Sequence, residues 1–193
     1  MANIFVGLIS NFFFWLSTYL IGYLITILLL LLLGVEKINK KIPQLLLELF
    51  ILLVFVLPLI AIPFSQGRKL TNSLPITFFV LIIGGIIFLA SIAIRITAQR
   101  QIKVFLSLKT KEKLVTTGIY KTIRNPLYLS NGLFSLGLSL LANSLYAFLF
   151  SILYSFLYLP IIFFEEKNLL EKYKDDYEKY KRETPWKLIP KII

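Results

Sequence analysis

The sequence predicts an all-α membrane protein with five transmembrane helices, the last two forming a hairpin, followed by a cytoplasmic amphipathic tail helix. Three observations lead there. The 193-residue chain is 58% hydrophobic and only 16% charged, whereas a soluble domain carries about 25% charged residues. Its mean hydropathy is +0.80, and the apolar residues form long uncharged runs close to or above the roughly 20 residues a helical span needs. The basic residues between those runs fall almost entirely on one side of the membrane.

The first apolar stretch lies within residues 4–33 and exceeds one span, which leaves room for tilt or for an interfacial first turn around Asn11. No Lys or Arg precedes it and it is too long for a cleavable signal, so it is read as a span. The second covers residues 45–64, with Glu48 near its start and Pro58 inside. The third covers 74–94, and Gly84-Gly85 at its middle form a notch for a close helix contact. The last apolar block, 127–164, holds 38 residues, too many for one helix and right for two. Ala142-Asn143-Ser144 at its midpoint read as a tight turn between 127–141 and 145–164. In the tail, residues 165–182, Leu169, Leu170, Tyr173, Tyr177 and Tyr180 recur at helical spacing on one face, and Pro185 ends the pattern. This helix either lies on the bilayer or folds back to cap a site. Residues 1–97 carry three spans and 98–193 the loop, hairpin and tail, as one integrated domain.

Orientation follows from Lys and Arg. The first connector has three (Lys37, Lys40 and Lys41), the segment between spans three and four has eight and the tail eight, 19 of the 21 in all; only Arg68 and Lys69 lie opposite. The N-terminus is therefore expected outside, with the long loop and the C-terminus cytoplasmic. The net charge of +11 then reads as an orientation signal and a means of contacting anionic lipid, with no nucleic acid implied. The chain has no Cys and no His. That excludes disulfides, thiol nucleophiles, Cys-ligated zinc and Ser–His hydrolysis, and no metal is expected.

The polar segment between the third and fourth spans carries the chemistry. Asn125 followed by Pro126 is a helix-start signal, because Asn caps free N–H groups and Pro suits the first helical position. A helix N-terminus with Arg124 beside it can hold a carboxylate or phosphate; alternatively the pair only starts the helix and Arg124 meets lipid phosphates. Glu165-Glu166 lie 37 and 38 residues after Tyr128, and the hairpin returns them to the same side. Carboxylates at a membrane boundary must be solvated or paired. These two either bind a cation or hydroxyls, or start the tail helix, where acids favour the dipole. Loop and acids together suit a zwitterionic ligand bearing ribose hydroxyls.

The segment Leu114-Val115-Thr116-Thr117-Gly118-Ile119-Tyr120, then Arg124-Asn125-Pro126-Leu127-Tyr128, then Glu165-Glu166, then Tyr177 and Tyr180 before Pro185, resembles the isoprenylcysteine carboxyl methyltransferase family and the related phospholipid methyltransferases. The resemblance covers about half the chain, roughly residues 95–190. It implies a membrane-embedded methyltransferase that uses S-adenosylmethionine without a soluble nucleotide-binding scaffold; in keeping with this, no Gly-rich strand-to-helix turn is present. It implies cofactor contacts from Glu112, Lys113, Leu114 and Val115, from Gly118 and Tyr120, from Arg124, Asn125, Pro126, Leu127 and Tyr128, and from Glu165 and Glu166. The helix start would hold the methionine carboxylate. Glu165 would take ribose hydroxyls or the amino group. Tyr120 and Tyr128 would pack the adenine or the sulfonium, the latter by cation–π attraction. The acceptor would be lipophilic or amphiphilic (an isoprenylcysteine-like molecule, a phospholipid or another small lipid) and would enter laterally from the bilayer.

Three positions depart from the family pattern. Asn125 stands where the family usually has His, and Glu112 also replaces a His. Ile161 stands where carboxyl methyltransferases of prenylated cysteine hold the substrate with Arg, so a carboxylate substrate would lack that counter-ion. Two other readings follow: a membrane reductase of sterol-reductase-like type using a nicotinamide cofactor, and a non-catalytic membrane protein on the same fold.

Overall fold

Helix α1 (Phe12–Lys41) begins where the sequence offers a cap: the Asn11 side chain accepts a hydrogen bond from the Phe13 N–H at 2.8 Å, satisfying one of the free donors of a first turn. The computed structural model describes residues 7, 10–65, 67–102 and 114–192, with backbone alone at 35–37 and 39–41. Gly34, at φ +71°, interrupts α1 and separates the span Phe12–Gly34 from the turns that carry the first basic connector.

Helix α2 (Gln44–Phe64) contains a widened π-type turn at Leu52–Val56, just before Pro58. Proline has no N–H and its ring presses on the carbonyl four residues back, here Val54, so the wider turn relieves a clash that a regular helix would keep. The same Val54 faces Gly22 of α1, where a Cβ would lie 1.6 Å from Val54 Cγ1. That close approach requires glycine.

Helix α3 (Leu74–Ile102) runs past its expected end at residue 94. It packs along α4 (Pro126–Leu141), and α4 pairs with α5 (Leu145–Tyr173) as the expected hairpin. Small residues permit the α3–α4 contact. A Cβ on Gly84 would fall 2.8 Å from Leu140 Cβ, and one on Gly137 2.7 Å from the Phe88 nitrogen. The notch is therefore Gly84 with Gly137; Gly85 has open space around it.

The hairpin turn forms where expected. Asn143 adopts φ +49°, and Ser144 caps α5 by accepting from the Ala147 N–H at 3.3 Å. Asn143 also braces the α2–α3 loop: its Oδ1 accepts from the Thr71 N–H at 3.1 Å and its Nδ2 donates to the Thr71 carbonyl at 2.9 Å. The Leu145 N–H donates to the Arg68 carbonyl at 2.9 Å. Arg68, Lys69 and the hairpin turn thus share one end of the bundle.

The chain is an all-α membrane protein. Among the described residues, four helices are long and apolar enough to cross a bilayer: Phe12–Gly34, Gln44–Phe64, Leu74–Ile102 and Leu145–Tyr173; α4 is a shorter apolar helix of 16 residues. Phe13, Leu24, Leu53 and Phe79 are exposed, as lipid-facing residues should be. Tyr19, Ile62, Phe150, Tyr154 and Ile162 form the core between α1, α2 and α5.

The tail departs from expectation. Helix α5 does not stop at residue 164; it continues through Glu165-Glu166 to Tyr173 and breaks at Lys174 (φ +44°, ψ −118°) before α6 (Asp175–Glu183). Glu165 and Glu166 are therefore interior helix residues, and a favourable dipole cannot explain them. That explanation fits Asp175, Asp176 and Glu178 in the first turn of α6 instead. The apolar face of the tail survives the break. Leu169, Leu170, Tyr173, Tyr177 and Tyr180 gather with Ala98 and Tyr120 in one cluster, so the tail folds back onto the loop.

Candidate functional site

The site grows from the loop 114–125. Gly118 sits at φ +61°, and a Cβ there would meet Gln101 Nε2 at 1.9 Å, so glycine lets the loop lie against the end of α3. A short 3-10 turn, Gly118–Lys121, then drives Tyr120 into the tail cluster, where it is buried. Leu114, Val115 and Leu127 pack around the same cluster. Two hydrogen bonds fasten the turn to the tail: the Tyr180 hydroxyl donates to the Tyr120 carbonyl at 2.7 Å, and Thr184 Oγ1 donates to the Lys121 carbonyl at 3.2 Å. Burial pushes the Tyr120, Tyr177 and Tyr180 hydroxyls well above the usual tyrosine range. They stay protonated at any physiological pH.

Arg124 and Asn125 do start α4, with Pro126 buried at its first position, but their polar groups are committed elsewhere. Arg124 Nε donates to Glu166 Oε1 at 2.9 Å, and Nη1 donates to the carbonyls of Thr184 and Pro185, both at 2.7 Å. Its backbone N–H donates to the Trp186 carbonyl and that of Asn125 to the Lys187 carbonyl, each at 2.9 Å. The Asn125 side chain makes no capping bond and turns to Glu166 Oε1 at 3.4 Å. Lys187 Nζ reaches Glu166 Oε2 at 3.6 Å.

These contacts change the expected roles. The guanidinium, read from sequence as an anion-binding group or a partner of lipid phosphates, is a buried tie between α4, α5 and the C-terminal segment. Glu166, read as half of a ligand-binding pair, is its counter-ion. The physical reason is depth: a buried charge without a partner is costly, so each satisfies the other.

Glu165 is different. Adjacent helix residues point about 100° apart, and Glu165 lies on the face shared by Tyr154, Tyr158 and Ile161. It is half-buried and makes no ion pair among the described residues. Its carboxylate is within hydrogen-bonding reach of the Tyr128 hydroxyl, and it acts electrostatically on Tyr120 and Tyr177. The Tyr128 ring meets Tyr158 at 4.9 Å between centroids. Tyr120 and Tyr128 thus both lie within electrostatic reach of Glu165, while Glu112 and Lys113 lie outside the described residues.

Sequence reading missed two groups. The run Thr184-Pro185-Trp186-Lys187 straps the loop from the far end of the chain; its polar residues beside a proline were the only signal. The second is a polar chain inside the bundle. Arg95 of α3 donates to Asn131 Oδ1, Asn131 Nδ2 donates to the Tyr158 hydroxyl at 3.2 Å, and Tyr158 donates to the Tyr154 hydroxyl. Asn131, a polar residue within an apolar helix one turn from Tyr128, could have flagged it.

Fold and site together define a polytopic membrane protein with a tyrosine–carboxylate site at one end of its bundle, under a folded-back tail. Residues 76–176 match the phospholipid methyltransferase family, a little over half of the chain, and the chain belongs to that family. Its class of activity is therefore methyl transfer at a membrane. No curated protein and no solved structure matches the chain.

Proposed function

We propose that the protein transfers a methyl group from S-adenosylmethionine to a lipid-like acceptor, at the cytoplasmic surface where the basic loop and tail lie. The observation that carries this reading is the separation of the two acids. Glu166 is neutralised by Arg124 and Lys187, whereas Glu165 faces Tyr128 with no cation paired to it among the described residues. An uncompensated carboxylate among aromatic rings fits a ligand that carries a positive charge and hydroxyls. Family membership favours this over nicotinamide chemistry, since phospholipid methyltransferases generally use S-adenosylmethionine.

Glu165 would hold the ribose hydroxyls or the amino group, and Tyr128 with Tyr120 would pack beside the sulfonium or the adenine. When bound, the cofactor supplies an electrophilic methyl. The protein's share is alignment of the acceptor and exclusion of water, a positioning task. The Tyr120–Tyr177–Tyr180 cluster closes the loop from above. The N–H groups of Arg124 and Asn125, just before α4, are taken by the C-terminal strap, which leaves the Leu127 and Tyr128 N–H groups of its first turn to hold the methionine carboxylate.

Calorimetry in detergent with S-adenosylmethionine and with its demethylated product tests the proposal. Binding is expected for wild type and is expected to fall at least tenfold in Glu165→Ala. Wild-type affinity in that variant, or no binding by wild type alongside a thermal shift with a reduced nicotinamide, would discard the assignment. Binding without turnover on any lipid pool would point to a non-catalytic member of the family.

A further inference from the structure

Arg95 is a cation without a counter-ion among the described residues. It lies in α3, about 30 Å along the helix from Leu74 at 1.5 Å per residue, which is the edge of a hydrocarbon core roughly 30 Å thick. It is half-buried and pairs with no carboxylate among the described residues. A guanidinium has five N–H donors; the partner found for it is Asn131 Oδ1, a neutral oxygen. An ionisable residue at this depth normally faces a partner or a ligand.

Its position is specific. Asn131 links it to the Tyr158 hydroxyl, and the Tyr158 ring packs on Tyr128, whose hydroxyl meets Glu165. Tyr154, Tyr158, Ile161 and Glu165 recur at intervals of four, three and four along α5, which places them on one face. A cation at Arg95 and an anion at Glu165 therefore bracket the Tyr128–Tyr158 pair. Ile161, on that same face, supplies no charge.

We propose that Arg95 is the anion-binding residue for the acceptor: it holds an anionic oxygen of the lipid headgroup, a phosphodiester oxygen in a phospholipid, while Glu165 serves the cofactor. Asn131 is a positioning residue that aims the guanidinium. A charge-assisted, bidentate contact of Arg with phosphate suits this role. The term acceptor rests on the methyl-transfer reading above; the charge pairing does not.

The test is lipid retention by native mass spectrometry, with no cofactor present. Purified protein is offered equal amounts of a phosphatidylethanolamine and a diacylglycerol with the same two chains. Wild type is expected to retain the phosphate-bearing lipid at least tenfold over the diacylglycerol. Arg95→Gln, which keeps a donor for Asn131, is expected to lose that preference, and Arg95→Lys to keep part of it. Arg100→Gln, which removes an exposed charge from the last turn of the same helix, is expected to change nothing. Equal preference in wild type and Arg95→Gln would overturn the proposal, as would an equal loss in Arg100→Gln, which would mean non-specific attraction. Failure of the cofactor to bind in calorimetry would sink the methyl-transfer reading and leave this measurement standing.

Discussion

One helix carries two acids on adjacent residues, and they serve two different regions. On one face of α5, Glu166 joins Arg124, Lys187 and the carbonyls of Thr184 and Pro185 into a lock that fixes the chain end to the start of α4. On the other, Glu165 looks toward Tyr128 and Tyr158 with no cation paired to it among the described residues. The lock is saturated with hydrogen bonds and the site is not. A fully satisfied polar cluster rigidifies, whereas an unsatisfied one has capacity left for a ligand. The saturated region is what allows the other to keep its charge exposed to the site.

Breaking the lock should have the largest effect. Arg124→Ala leaves the buried Glu166 carboxylate with the half-exposed Lys187 at 3.6 Å and the Asn125 amide at 3.4 Å, and removing one partner of a buried pair costs about 3–5 kcal/mol. Thermal unfolding in detergent should show a large drop in midpoint, with cofactor binding lost as a consequence. An unchanged midpoint would mean that the lock is not structural.

Breaking the site should do the reverse. Glu165→Ala should leave the unliganded midpoint near wild type while cofactor affinity falls at least tenfold, about 1.4 kcal/mol or more. If both quantities fell together, the two faces would not be separable.

Alkaline pH probes the layer that joins them. The Tyr120, Tyr177 and Tyr180 hydroxyls are raised by burial, so above about pH 10 the unfolded chain loses protons that the folded chain keeps. Fewer protons on the unfolded state means stability falls as pH rises, by up to about 1.4 kcal/mol per pH unit for each tyrosine. Their contribution is intact below pH 10. Unfolding measured across that range should steepen, and Tyr177→Phe should make it shallower. The smallest effect is expected from Tyr180→Phe, which removes the hydrogen bond to the Tyr120 carbonyl and should cost about 1 kcal/mol.

Local features were legible in the sequence. The Asn125-Pro126 start of α4 and the Ala142-Asn143-Ser144 turn form where residue chemistry places them, because proline and turn preferences act over a few residues, although the Asn125 side chain itself does not cap the helix. The apolar face from Leu169 to Tyr180 was also legible, since periodicity survives the break at Lys174. What sequence could not convey was which acid meets which partner. Glu165 and Glu166 are chemically identical, and only the rotation of α5 relative to α4 sends one to Arg124 and the other to Tyr128. The contact of Arg95 with Asn131 joins residues 36 positions apart, and the C-terminal strap joins residues about 60 apart. Such pairings depend on packing between helices, which no local pattern encodes.

Helix α4 has 16 residues, about 24 Å at 1.5 Å per residue, against a hydrocarbon thickness of about 30 Å. A span that short is in hydrophobic mismatch with an average bilayer, and although α4 is packed within the bundle with no fully exposed residue, thinning of the lipid at its partly exposed flank is one way to cover it. Thinning on that flank lowers the headgroups toward Tyr128, so an acceptor lipid would be delivered by the shape of the membrane before any side chain touches it. The same mismatch predicts a preference for thin bilayers: reconstitution in a series of phospholipids of increasing chain length should show activity falling as the chains lengthen.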